Sequence, residues 1–123
     1  MKIQVFNNWN VLKRERYASF WNQELDAAFY EPNANAAPRT YRDLFDEEIL
    51  NSRFFLPEAS HWAVDDSGTK PAPLACLVAA SAPTDDSRSD AALFGPFFAA
   101  EVADAEKGKI ARALIEAAEQ KLL

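Results

Sequence analysis

Hydrophobic and polar positions change period several times along this chain, and each change marks an element. Lys2 to Phe6 alternates polar and apolar, as a short strand with Ile3 and Val5 on one side does. From Val11 to Ala28 the apolar residues Tyr17, Phe20, Trp21, Leu25 and Ala28 recur at helical spacing. Lys13, Arg14, Arg16 and Glu24 fall on the other side of that helix. Glu31 to Pro38 holds two prolines and two asparagines and reads as a loop. Thr40-Tyr-Arg-Asp43 has the form of a helix-opening capping box, with Tyr41, Leu44, Phe45 and Ile49 as the apolar face and Phe54 beyond.

After Pro57 the period returns to strands. Ser60 to Asp65 is one, Asp66 to Pro73 is turn chemistry around a glycine, and Leu74 to Ala82 is an apolar strand covered on both faces. The first two of these strands form an antiparallel hairpin. Thr84 to Asp90 reads as a solvated loop, Leu93 to Ala100 as a further strand, and Lys107 to Leu123 as a helix. Ile110, Leu114, Ala117 and the stem of Lys121 make the stripe of that helix that faces the sheet. The order is β-α-α-β-β-β-α, an α/β (α+β) domain with helices packed on a mainly antiparallel sheet.

Composition narrows the function classes. At 123 residues and 49% hydrophobic, the chain is one domain with enough apolar material for a core. A net charge of −6 argues against nucleic acid and anionic membrane surfaces, which attract basic proteins. No apolar run approaches the roughly 20 residues that span a bilayer. The N-terminus has no apolar segment followed by a small-residue cleavage site, so no signal peptide is expected. A lone cysteine, Cys76, excludes an internal disulfide and suits a reducing, cytoplasmic setting. One Cys and one His make no thiolate–imidazole metal cluster, so no metal is expected.

The candidate chemistry lies in the last thirty residues. A strand that feeds a helix through a short polar loop leaves backbone N–H groups free at the helix start, and such an end binds anions. Lys107-Gly-Lys109 at that end suits a phosphate cradle, and equally a solvated loop entering a surface helix. Phe94-Gly95-Pro96-Phe97 resembles the Leu-Gly-Pro-Leu found in the fourth strand of some branches of the GNAT N-acetyltransferase superfamily. Ile110-Ala111-Arg-Ala-Leu-Ile-Glu-Ala-Ala-Glu119 resembles the Ile-Gly-x-x-Leu-Leu-x-x-Ala-Glu that opens the following helix. The element order is similar to the first half of that fold along the whole chain; the residue-level match covers its last quarter.

The resemblance implies acetyl-CoA as co-substrate and an amine as acceptor. Backbone amides near Phe98, Ala99 and Ala100 would hold pantetheine and polarise the thioester carbonyl. Amides of Lys107, Gly108, Lys109, Ile110 and Ala111 would hold the pyrophosphate. In GNAT proteins this strand splays from its neighbour with pantetheine in the gap, which gives Pro96 a natural place. The family loop reads Gln/Arg-x-x-Gly-x-Gly/Ala. Here Glu106-Lys-Gly-Lys-Ile-Ala111 shifts the glycine by one and starts with an acid, and the connection from Gly95 is about two residues longer. Lys107 and Lys109 would compensate as phosphate point charges.

The family continues past this helix with a second cleft wall, so the resemblance also implies a fragment or a chain completed by a partner. Homo-oligomerisation through the Leu93–Ala100 strand edge or the last helix is the simplest form, with Phe94, Phe97 and Phe98 exposed nearby. The alternative function is a non-catalytic GNAT-derived module that acts by association. No catalytic residue is singled out. His61 is a candidate base or a structural histidine, and Cys76 a small buried hydrophobe. Trp9, Tyr17, Phe20, Trp21, Phe29 and Tyr30 line either an acceptor pocket or the core. Asp43, Asp46, Glu47 and Glu48 read as an exposed acidic face.

Overall fold

A computed structural model describes residues 1–30, 35, 37–83 and 89–122. Residues 84–88 of the loop expected at 84–90, most of the one at 31–38, and Leu123 lie outside the described residues, while Ser89 and Asp90, expected in that loop, already belong to the strand that follows. Strand β1 spans Ile3–Phe6, followed by a 3₁₀ turn at Trp9–Lys13 and helix α1 at Glu15–Glu24. The single helix expected from Val11 is thus split. Arg14 is extended (φ −91°, ψ 139°), and Asn8 caps the 3₁₀ turn by accepting the Asn10 N–H at 3.0 Å. The apolar stripe survives the split, with Tyr17, Phe20, Trp21 and Leu25 all buried.

A two-residue ladder unforeseen from the pattern, β2 (Phe29–Tyr30) against β3 (Arg39–Thr40), closes the segment between the helices. Helix α2 begins at Tyr41 with Thr40 as its cap, the hydroxyl accepting from the Asp43 N–H at 3.1 Å. Its α-helical part ends at Leu44 and continues as a π-helix through Phe45–Ile49. The wider turn keeps Leu44, Phe45 and Ile49 on the buried side.

Strands β4 (His61–Asp65), β5 (Ala72–Pro83) and β6 (Ser89–Phe98) form an antiparallel sheet in the order β1-β4-β5-β6. Ala75 to Ala79 are five consecutive residues at 1% exposure or less, so β5 is covered on both faces. Trp62, fully buried, sits among Trp9, Tyr17, Phe20 and Trp21 at ring separations of 5.2–6.5 Å. Among the described residues, its indole N–H is a buried donor with no partner. Helix α3 spans Asp104–Leu122 and buries Ile110, Leu114 and Ala118. The stripe therefore runs at strict i, i+4, i+8 spacing through Ala118, with Ala117 half-buried and Lys121 exposed.

Candidate functional site at the end of β6 and the start of α3

Strand β6 is an edge of the sheet, and its pairing with β5 slips once. Phe97 stands opposite Cys76 and Phe94 opposite Val78, so Gly95 and Pro96 face the single residue Leu77. That is a bulge. Gly95 has φ +104°, a conformation that excludes ordinary side chains, and the Gly95–Pro96 peptide is cis. Pro96 has no N–H to give, which an edge strand tolerates. Tyr41 and Phe45 of α2 brace both sides of the bulge. Tyr41 lies 4.9 Å from the Phe97 ring, and Phe45 lies 5.5 Å from Phe94 and 5.8 Å from Phe97.

The strand expected to reach Ala100 ends at Phe98. Ala99 is buried with its N–H on the Leu74 carbonyl at 2.8 Å. Ala100 is exposed, and its N–H donates to the Glu24 carboxylate of α1 at 3.3 Å. A turn follows, closed by the Val102 N–H on the Ala99 carbonyl at 3.1 Å.

The helix expected to start at Lys107 starts at Asp104 instead. Ala103-Asp-Ala-Glu-Lys107 favours helix, with acids in the first turn where the dipole wants them. In a helix of that span, the amides from Lys107 onward bond four residues back. The expected cradle at Lys107–Ala111 is therefore interior helix, and the open amides move to Asp104 and Ala105. The Glu106 N–H already turns onto the Ala103 carbonyl at 2.9 Å. A Cβ at Gly108 would meet nothing within 4 Å, so this glycine marks no close backbone approach.

The charges at this end are partly self-neutralised. Lys107 Nζ lies 3.0 Å from Asp104 and 5.7 Å from the centre of the Phe98 ring, and Lys109 Nζ lies 4.0 Å from Glu106. A cleft of about 350 Å³ opens beside the helix start, walled by Leu74, Val102 and Ala103, with the carboxylates of Asp65, Glu101 and Glu106 on it. Helix dipole and free amides favour an anion here, while these carboxylates oppose it. Two more clefts lie nearby. One of about 320 Å³ lies between α1 and the 99–101 turn, and an apolar one of about 270 Å³ lies between Ile49, Phe54 and Phe94.

The other candidates lie elsewhere. His61 is 5% exposed on β4, paired with Leu77, and its Nδ1–H donates to the Ala59 carbonyl at 3.1 Å. Burial holds its pKa below the usual imidazole value, against a smaller upward pull from the Ala59 bond, with Lys121 adding to the depression. Cys76 is fully buried, and burial pushes its thiol far up, so it is no nucleophile. Tyr17, Phe20 and Trp21 belong to the core, while Phe29 is 65% exposed. On the acidic face, Asp46 accepts the Trp21 indole N–H at 2.8 Å, and Glu47 and Glu48 both pair with Arg39. In the sequence Glu24 is only a position on the polar side of a helix. Its bond to Ala100 is a tertiary pairing across 76 positions, with no local signal in the sequence.

Comparison with solved structures shows the fold. The chain is similar to a chain of the NatC complex bound to Gag peptide and CoA, with a TM-score of 0.62 and 21% identity. The match covers 99% of this chain and 67% of that one. The architecture is GNAT-like, α+β with a mainly antiparallel sheet. No family model matches the sequence, and a search of the curated proteins finds no match.

Proposed function

We propose that this chain is a GNAT-type N-acetyltransferase domain that takes acetyl-CoA along the outer edge of β6 and acetylates an amine. The observation that carries the reading is the bulged edge strand β6, which runs through a four-residue turn and its cap straight into the open end of α3. A strand edge offers unpaired amides to an extended pantetheine arm, and the helix start offers amides and dipole to the pyrophosphate. Phe98, Ala99 and Ala100 stand at the strand end of this path, although Ala99 is committed to Leu74 and Ala100 to Glu24. Lys107 and Lys109 reach the phosphates by exchanging their carboxylate partners, while Gly108, Ile110 and Ala111 are interior positions of α3 and offer no open amides. Likeness to a CoA-bound complex supports this reading at the level of fold.

The transfer itself is direct. The neutral amine attacks the thioester carbonyl carbon, the C–S bond breaks, and CoA leaves as the thiolate, which takes up the proton that the amine gives up and is released as the free thiol. Thiol release from acetyl-CoA in the presence of a panel of amines tests the reading. Amine-dependent release supports it, and its absence in folded protein refutes catalysis by this chain alone.

A second reading has its own observation. Lys107 and Lys109 are paired with acids of their own helix, and the β6 edge carries Leu93 at 39% exposure. That combination suits a GNAT-derived module that works by association, most simply a two-fold dimer through the β6 edge. Phe94, Phe97 and Phe98 beside it are half-buried rather than open. Sedimentation at micromolar concentration tests it: a dimer is expected, and a strict monomer would remove this reading.

A further inference from the structure

Glu24 breaks a local rule and makes one long-range bond. It is the last residue of α1, where free carbonyls carry partial negative charge and a cation is the favoured neighbour, yet the last turn has no basic residue. Its Oε1 instead accepts the N–H of Ala100, seventy-six positions away, at 3.3 Å. That length lies beyond the usual 2.7–3.2 Å range, so the bond is weak. The neighbouring Ala99 N–H is locked by a backbone carbonyl at 2.8 Å, whereas Ala100 is held by a side chain that can rotate. Room for that rotation exists in the cleft of about 320 Å³ between Ser19, Gln23, Ala99 and Glu101. Glu15, Arg16 and Glu101 also line that cleft.

We propose that Glu24 is an autoinhibitory latch on the β6–α3 turn. In the free protein its carboxylate occupies the Ala100 amide, and an acceptor oxygen of an incoming ligand takes that amide only after the carboxylate swings into the cleft. The inference rests on the coenzyme reading above. The acceptor oxygen belongs either to a pantetheine carbonyl or to a phosphate, and the latch opposes the phosphate twice, by occupancy and by charge.

The test compares wild type, Glu24→Ala and Glu24→Gln for binding of coenzyme A, pantetheine and inorganic pyrophosphate, and follows hydrogen exchange at the Ala100 amide. Glu24→Ala binds coenzyme A about three- to tenfold more tightly, the scale of one net hydrogen bond. Its Ala100 amide exchanges faster without ligand and is protected again when ligand binds. Glu24→Gln, neutral but still an acceptor, falls between; it also serves if the alanine variant does not fold. A gain with pantetheine assigns the amide to a carbonyl, and a gain with pyrophosphate alone assigns it to phosphate. Unchanged or weaker coenzyme A binding in folded Glu24→Ala, or unchanged exchange at Ala100, overturns the latch while the coenzyme reading stands. If no variant binds any of the three probes, the coenzyme reading fails and the latch fails with it.

Discussion

A Cβ placed on Gly95 would come within 3.1 Å of the Cys76 carbonyl oxygen across the β5–β6 ladder. The same atom would lie 2.9 Å from the Phe97 backbone N and from its ring. With φ at +104° as well, this is the one position in the strand that only glycine fills without strain. Gly95→Ala should therefore lower stability by about 1–3 kcal/mol, measured by chemical denaturation. A change below about 0.5 kcal/mol would mean that the bulge relaxes freely and does not fix the shape of the edge.

Gly108 should behave in the opposite way. It lies inside α3, with open space where a side chain would go. Gly108→Ala should raise stability by about 0.5–1 kcal/mol, the helix-propensity difference. Destabilisation would show that residues 107–109 leave the helix and form the loop that the family pattern suggested.

These two glycines show which parts of the fold were legible in the sequence. Period and capping identify the kind and order of the sheet strands and of the helices, though not their bounds, because Tyr17, Phe20, Trp21, Thr40 and Ala75 to Ala79 obey local rules. α3 starts before the point that the glycine pattern of the resemblance implies, because Ala103 to Lys107 has the propensity and charge order of a helix start. The bulge at Gly95–Pro96 was legible as an irregularity, but its positive φ depends on the β5 register, a tertiary fact. The Glu24–Ala100 bond spans 76 positions, and no local pattern encodes such a pairing.

His61 gives a pH dependence with a definite sign. Burial lowers its folded-state pKa below the ordinary 6.5, so the ring stays neutral in the fold while the unfolded chain takes up a proton. The unfolded state then binds more protons below pH 6.5. Stability should fall as the pH drops from about 7 through 6.5 towards the folded value, before the carboxylates titrate. Denaturation midpoints at pH 7.5, 6.5 and 5.5 check this, with His61→Gln as control. A flat wild-type profile over that window, or the same slope in His61→Gln, would show that the ring is protonated equally in both states.

The central claim, that the β6–α3 junction takes acetyl-CoA, is tested most directly by titrating acetyl-CoA into the folded protein in a calorimeter. The Lys107→Glu/Lys109→Glu double variant, checked for intact helix content, is titrated alongside. Saturable one-to-one binding to the wild type, lost in the double variant, is expected. Absence of binding to the folded wild type, or equal binding to both proteins, would contradict it.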